Sequence, residues 1–300
     1  MKTVTLSTQT EEGTALEATF LPDKGMTLAS YKLGAIETID QSTKEDFNQF
    51  RSGLGALIGP HFYERAARLV PKINHEFAHE KAMREKKKSD VFSHGVGRYA
   101  AWNAEINGNS IHAELSGKDL LEGIPLSEIE GQNFKMIFDI LLDPKGLKLN
   151  LSVSSDTDSV VGFHYYYAIG KEESACVRAA VQKTYLDNLN GNKQQPLPSD
   201  WNVDSQRVLT YPLAQETDCT FHPYPDLLAG KIVLETESHS LTINTSCPSA
   251  ENSWQVWHPK GASFACIEPI SSQNPRRPNL TVSQISAALE ISKKNRSNSN

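Results

Sequence analysis

The sequence lacks any long apolar run. No segment among its 300 residues approaches the ~20 consecutive apolar residues of a membrane-spanning helix, and residues 1–8 lack the apolar core of a secretory signal peptide. Cysteine is also scarce. The four cysteines, which form no Cys-x-x-Cys pair, are Cys176, Cys219, Cys247 and Cys266. We therefore expect no membrane partner, reduced thiols and a cytoplasmic location.

An excess of positive charge is missing as well. Thirty lysines and arginines stand against 36 aspartates and glutamates, which gives a formal net charge of -6 at pH 7. This mild acidity argues against nucleic acids and anionic membranes as partners. Because all-β sandwiches of this size often form one domain, we expect a single domain over residues 1–292 and a polar tail over residues 293–300. The protein is expected to be a monomer or a homodimer.

Short alternating apolar runs dominate the sequence. Apolar side chains alternate from Phe134 to Leu142 and from Leu147 to Val153, on both sides of an Asp-Pro-Lys-Gly turn. The tripeptide Asn107-Gly108-Asn109 predicts a further hairpin. Other predicted strands cover residues 3–8, 16–21, 26–33, 232–236 and 241–243. Residues 281–291 fit a helix or a strand, and the period of two in Ala287, Leu289 and Ile291 favours a strand. Helical signals are limited to residues 43–51, capped by Thr43, and to a helical or loose surface excursion over residues 61–88. The pattern predicts a large all-β sandwich.

A single carboxylate, Glu268, follows the apolar run of residues 262–267. That run predicts a buried strand, and Pro269, which lacks an N–H donor, is expected to end it. Partial burial raises the pKa of a carboxyl at such a position, so Glu268 is a candidate for proton transfer. The alternative is an ion pair with Arg276 or Arg277 that only holds the loop.

His164 lies in a second informative segment, residues 160–169. The odd positions from Val161 to Ile169 form one apolar face, so His164 and Tyr166 point together to the opposite face. Imidazole, with an ordinary pKa near ~6.5, can give or take a proton at neutral pH. The alternative is a half-buried histidine with a structural hydrogen bond.

Two further elements are weak signals by themselves. His94 precedes Gly95 and Gly97, which permit an unusual backbone path beside the imidazole. Asp218 precedes an apolar position in a strand-like context, although an isolated aspartate is more often a turn residue. Neither residue identifies a function without the others.

Taken in order, these elements resemble those of the aldose 1-epimerase (galactose mutarotase-like) family. The matching residues are His94, Gly95, Arg98 and Trp102, then the segments Gly162–Tyr166, Asp218–Phe221 and Cys266–Pro269, with an opening hairpin around Leu21–Leu28. The resemblance spans residues 16 to 291, nearly the whole chain. It implies a many-stranded antiparallel β-supersandwich with a few short helices and with a sugar cleft on one sheet. It also implies a cofactor-free isomerase that interconverts the α and β anomers of an aldose, so a monosaccharide is the expected partner.

The resemblance assigns roles to particular residues. Glu268 matches the general base, His164 the general acid, and His94 and Asp218 groups that hold the sugar. The ordinary pKa values of the acid and base, ~6.5 and ~4.3, place them in opposite protonation states near neutrality. The family's arginine falls in the stretch from Gly59 to Arg65, which departs from the family pattern.

Arg65 is our choice for the sugar-binding arginine, with Arg68 as the alternative. Tyr166, Trp102 and Trp257 are candidate cleft walls, because aromatic faces stack on sugars, although core packing is the commoner role for any one of them. The guanidinium groups of Arg276 and Arg277 match phosphate geometry, so a hexose phosphate is an alternative substrate, although exposed loop charges are the commoner explanation.

Residues 75–79, His-Glu-Phe-Ala-His, form a competing motif. On a helix, His75 and His79 would bind zinc beside the Glu76 carboxylate, as in a metalloprotease. The charged run that follows, residues 80–88, favours an exposed helix with no metal. A third hypothesis is a carbohydrate-binding protein of the same fold that does not catalyse anomer exchange.

Overall fold

Two large antiparallel sheets form the architecture of the computed structural model, which describes residues 2–170 and 175–294. The strands are, in chain order, β1 (Val4–Gln9), β2 (Ala15–Leu21), β3 (Thr27–Leu33), β4 (Ile36–Glu37), β5 (Gly55–Ile58), β6 (Asn103–Asn107), β7 (Ser110–Ser116), β8 (Leu120–Leu121), β9 (Ile124–Pro125), β10 (Phe134–Asp143), β11 (Gly146–Ser155), β12 (Gly162–Ala168), β13 (Cys176–Ala180), β14 (Thr184–Asp187), β15 (Lys193–Pro196), β16 (Asn202–Val203), β17 (Val208–Pro212), β18 (Thr217–Phe221), β19 (Ala229–Glu235), β20 (His239–Ser246), β21 (Ser253–His258), β22 (Phe264–Ile270) and β23 (Val282–Lys293). The helices are short: α1 (Lys44–Phe50), α2 (Glu80–Glu85) and α3 (Leu126–Glu130).

The first sheet has 11 strands in the order β1-β2-β3-β5-β12-β22-β21-β18-β14-β15, with β4 paired to β3. The second has 10 strands in the order β16-β17-β13-β19-β20-β23-β11-β10-β7-β6, and β8 pairs with β9 separately. This arrangement confirms the predicted all-β antiparallel supersandwich with a few short helices.

The hydrophobic core lies between the two sheets. Phe20 on β2 packs edge-on against Phe138 on β10, with ring centroids 6.3 Å apart. The Tyr31 hydroxyl of β3 donates a hydrogen bond to the Leu289 carbonyl of β23 over 2.7 Å, and so joins the sheets directly. Each strand buries alternate side chains here, as the period of two in the sequence requires.

Most predicted strands are confirmed within one or two residues. The hairpin of β10 and β11, the hairpin of β6 and β7 and the terminal strand β23 all follow the alternation in the sequence. The predicted excursion over residues 61–88 is largely irregular and contains only α2. Helix α1 forms as expected, but Thr43 does not cap it with its side chain. The Asp40 carboxylate instead accepts hydrogen bonds from the backbone N–H groups of Ser42 and Thr43, in the turn that precedes the helix.

Three other expectations concern the chain's ends, thiols and membrane spans. Strand β23 continues to Lys293, and residues 295–300 of the predicted tail lie outside the described residues. All four cysteines lie in the described part of the chain and none is in a disulfide. Over residues 2–170 and 175–294, helices are too short or too polar to cross a membrane.

The prediction that Pro269 ends its strand is wrong. Strand β22 continues to Ile270, because Pro269 pairs in register with Trp254 and Ile270 with Ser253 on β21, while the ladder with β12 has a gap at the proline. Pairing with β12 holds at Tyr165 and Ile267 and again at Gly162 and Ile270. The register on both sides of the gap places His164 opposite Glu268.

A close backbone crossing fixes the loop that leads to the site. The Gly59 N–H donates to the His94 carbonyl over 2.9 Å, and the Gly97 N–H donates to the Gly59 carbonyl over 3.0 Å. Gly95 lies between these bonds with φ +86°, and a Cβ there would lie 2.1 Å from the Gly59 oxygen. Only glycine fits this position.

Replacement of Gly95 by alanine tests the crossing. We expect Gly95→Ala to lower the free energy of unfolding by about 3 kcal/mol or more, because backbone strain and a backbone clash act together. Gly108→Ala is the matched control, since Gly108 has φ +56° but open space around its Cα. The control is expected to cost about 1 kcal/mol. Equal losses in urea unfolding would show that the crossing contributes nothing.

Candidate active site

A cavity of about 360 Å³ opens on the first sheet, on the side opposite the core. Its floor is formed by side chains of four adjacent strands, β12, β22, β21 and β18, and its walls come from the loops and helices above them. The floor residues are His164, Tyr166, Glu268, Gln255, Trp257 and Asp218. The wall residues include Phe62, Tyr63, His94, Arg98, Lys86, Lys88 and Arg276.

Strand β12 presents its two faces as the sequence indicates. Phe163, Tyr165 and Tyr167 belong to the core between the sheets. His164 and Tyr166 point to the cavity, and they are only 6% and 4% exposed. The alternation therefore brings both predicted residues to one site.

Glu268 is fully buried at the floor of the cavity. Neither carboxyl oxygen has a hydrogen bond of good geometry within the described residues, and Oε1 lies 3.5 Å from Nε2 of His164. Burial, and then the nearby Asp218 carboxylate, raise the pKa of Glu268 to about 8. Over the described residues, neither Arg276 nor Arg277 is within ion-pair distance of Glu268, so the alternative of a loop-holding ion pair is wrong.

His164 is the other half of this pair. Burial, and then the positive charge of Arg98, lower the pKa of His164 well below its ordinary value. At neutral pH the imidazole is therefore neutral and the carboxyl holds the proton. The ordinary pKa values predict the reverse, because they ignore that burial penalises the charged form of both groups. With ordinary or with shifted pKa values, the imidazole and the carboxyl together carry one proton at neutral pH.

His94 lies beside the pair. Its ring meets that of His164 edge-on, with centroids 4.6 Å apart, and Phe62 packs on it at 4.9 Å. Its backbone has φ +65°, an uncommon conformation for a residue with a side chain, which turns the imidazole toward the cavity. Burial and the charge of Arg98 lower the pKa of His94 well below its ordinary value, so it offers a neutral ring to a ligand.

Asp218 lies on β18 at the far side of the floor. The Asn188 amide donates to its Oδ1 over 2.8 Å, which fixes the carboxylate. Burial raises the pKa of Asp218, while Arg276 opposes this shift. Asp218 therefore reaches the same cavity as His94, His164 and Glu268, as the sequence predicts.

The predicted arginine lies elsewhere. Arg65 binds Asp90 through Nε and Nη2 at 2.7 and 2.9 Å, and its Nη1 donates to the carbonyls of Ile129 and Glu130. It does not line the cavity, and Arg68 is exposed on the loop. The choice of Arg65 for sugar binding is not supported, because its guanidinium is saturated by partners within the fold.

Arg98, and not Arg65, is an arginine that lines the cavity. It is 2% exposed, its Nε donates to the Leu57 carbonyl over 2.9 Å, and its Nη2 has no hydrogen-bond partner within the described residues. Its charge lowers the pKa of His164, His94 and Glu268 alike. The signal was present in the sequence, since Arg98 belongs to the same element as His94 and Trp102.

Aromatic rings form one wall of the cavity. Tyr166 stacks on Phe264 with centroids 4.4 Å apart, and Trp257 lies 5.6 Å from Tyr166. Trp102 instead belongs to the core, where its Nε1 donates to the Gly97 carbonyl over 2.8 Å. Tyr166 and Trp257 are thus placed as expected, and Trp102 is not.

The His-Glu-x-x-His motif does not form a metal site among the described residues. Its residues precede α2, and the His75 and His79 imidazoles bind the Glu122 carboxylate and the Val91 carbonyl, each over 3.0 Å. The set that could hold a metal within the described residues is His164, Cys266 and Glu268. There the thiol faces Nδ1 over 3.2 Å and the carboxyl faces Nε2 over 3.5 Å, and one ligand atom from each of the three residues lies within 4.8 Å of the others.

Comparisons with known proteins identify the fold. No protein-family model matches the sequence, and no curated protein matches it either. Similar solved structures include a galactose mutarotase-like protein from Lactobacillus casei, at TM-score 0.68 and 12% identity over 97% of this chain and 100% of that one. A GalM/aldose epimerase homologue from C. elegans matches at TM-score 0.65 and 14% identity, over 98% of this chain and 100% of that one. A galactose mutarotase related enzyme from Lactobacillus acidophilus matches at TM-score 0.63 and 13% identity, over 99% of each chain. The chain therefore has the galactose mutarotase-like fold.

Proposed function

We propose that this protein interconverts the α and β anomers of an aldohexose, or of a hexose phosphate, by general acid/base opening of the sugar ring. The observation that carries the proposal is the pairing of His164 Nε2 with Glu268 Oε1 at 3.5 Å on the floor of a cavity. A volume of about 360 Å³ suits a monosaccharide. The fold shared with mutarotase-like structures supports the same conclusion.

The chemistry needs one proton on the pair. The Glu268 carboxyl passes its proton to Nε2 of His164, which leaves a carboxylate and an imidazolium. The carboxylate takes the proton of the anomeric hydroxyl while the imidazolium gives its proton to the ring oxygen, so the bond between C1 and that oxygen breaks. The aldehyde turns about the C1–C2 bond, and closure reverses each transfer. The protein and the proton count return to their starting state.

The surrounding residues favour the carboxylate that this step creates and contact the sugar. The buried Arg98 guanidinium stabilises the Glu268 carboxylate, and its unpartnered Nη2 can donate to a sugar oxygen. His94 and Asp218 are placed to hydrogen-bond the hydroxyls, and Trp257 offers an aromatic face to the ring. Each well-placed acid or base contributes about 10²–10⁴-fold to the rate.

Glu268→Gln tests the acid/base role. The amide keeps the shape of the side chain but cannot exchange the proton, so we expect mutarotation of fresh α-glucose or α-galactose to fall by at least about 10²-fold in polarimetry. Sugar affinity in calorimetry should change much less. Glu17→Gln, an exposed change on β2, is the control and should retain full activity.

Two outcomes would contradict the proposed enzymatic activity. Full activity in Glu268→Gln would refute the role of the carboxyl. Calorimetric binding by the wild-type protein without faster mutarotation would instead identify a carbohydrate-binding protein of the same fold.

Three cations besides Arg98 line the cavity, and they favour a phosphorylated sugar. Lys88 pairs with Glu64 over 2.8 Å, and Lys86 lies 3.4 Å from Asp46. Arg276 has no acidic partner within ion-pair distance among the described residues, and it lies over the Tyr63 ring at 4.3 Å. A stacked guanidinium with free N–H groups matches the geometry of a phosphate.

Arg276→Gln tests this part of the proposal. We expect KM for a hexose 6-phosphate to rise about tenfold or more, since a charge-assisted hydrogen bond is lost, while KM for the neutral hexose stays nearly constant. Arg277→Gln is the matched control, because Arg277 is exposed, adjoins Arg276 in the sequence and does not line the cavity. Equal KM values for both sugars in the wild-type protein would favour a neutral aldohexose.

A further inference from the structure

The thiol of Cys266 lies against Nδ1 of His164, while the Glu268 carboxyl faces Nε2 of the same ring. Its Sγ is 3.2 Å from Nδ1, and both residues are buried. Cys266 and Glu268 are two residues apart on β22, so their side chains share a face, and Cys266 pairs in register with Tyr166 on β12. The imidazole therefore has a thiol at one nitrogen and a carboxyl at the other.

The protonation states of these groups decide the direction of both contacts. Burial and the nearby Glu268 carboxyl raise the pKa of the Cys266 thiol well above its ordinary value, so the sulfur keeps its hydrogen. Burial likewise keeps the proton on Glu268, whose pKa is about 8. Within the described residues the Glu268 carboxyl makes no hydrogen bond of good geometry to Nε2, so the contact with the sulfur decides the tautomer, and an imidazole N–H is a stronger donor than an S–H group. The ring proton then lies on Nδ1 and faces the sulfur.

We propose that Cys266 is a positioning residue whose sulfur accepts the Nδ1–H of His164 and thereby leaves Nε2 free to receive the proton of Glu268. A thiol suits this place because it is a weak acceptor. A carboxylate there would hold His164 permanently protonated, and the pair could not exchange its proton. The catalytic consequence rests on the proposed function, but the position of the ring proton does not.

The direct test is the tautomer of His164 in protein labelled with ¹⁵N-histidine. Long-range ¹H–¹⁵N spectra at pH 7 distinguish Nδ1–H from Nε2–H, and the signals that vanish in His164→Asn assign the residue. We expect wild-type protein to show Nδ1–H. In Cys266→Ala we expect a shift toward Nε2–H, while Cys266→Ser, whose hydroxyl also accepts, retains Nδ1–H.

Kinetics add a second measurement. Cys266→Ala should lower kcat at least about tenfold with little change in KM, because a wrong tautomer misplaces the proton without removing a ligand contact. Cys266→Ser should restore most of the rate. Cys219→Ala is the matched control, since it removes a buried thiol from the core face of the same sheet.

Three results would overturn the inference: Nε2–H in wild-type protein, an unchanged tautomer in Cys266→Ala, or equal loss of kcat in the alanine and serine variants. The tautomer of the wild-type protein is measured without any Cys266 variant, so this measurement stands even when a variant misfolds. If wild-type protein catalyses no mutarotation but shows Nδ1–H, the proposed function fails and the role of Cys266 in holding the ring stands.

Discussion

The site depends on one unfavourable arrangement, a carboxyl that is fully buried without a good hydrogen bond. Folding removes Glu268 from water, and burial raises its pKa from about 4.5 to about 8. A raised folded-state pKa means that the stability contributed by the protonated group is fully present below pH 4.5. It is lost progressively as the pH rises to about 8. The fold therefore tolerates a cost near neutral pH to hold a proton beside the His164 imidazole.

The two sheets make this arrangement possible. Strands β12 and β22 are neighbours in the first sheet, and the gap in their ladder lies where His164 faces Glu268. The core faces of both strands are tightly packed with aromatic and aliphatic side chains, so the cavity side chains are held by strands that cannot shift independently. The crossing at Gly59 and Gly95 then brings His94 against the same pair.

Alternation in the sequence was enough to predict the strands, the antiparallel class and the shared face of His164 and Tyr166, because the period of a strand is fixed by its geometry. The resemblance to a known family predicted that residues distant in the sequence lie in one site, which the alternation of apolar residues cannot show. Arg65 was assigned wrongly because the path of residues 61–88 depends on ion pairs with Asp90 that leave no periodic trace. The raised pKa of Glu268 was predicted from its place after an apolar run, but the neutral state of His164 was missed, since the sequence does not give the burial of single residues.

The central claim is that Glu268 is a protonated acid in the free protein at neutral pH. Its carboxyl carbon can be followed in protein labelled with ¹³C-glutamate, with the signal assigned by its absence in Glu268→Gln. The account predicts a titration midpoint near pH 8. A midpoint near the ordinary value of a glutamate, ~4.3, would contradict it.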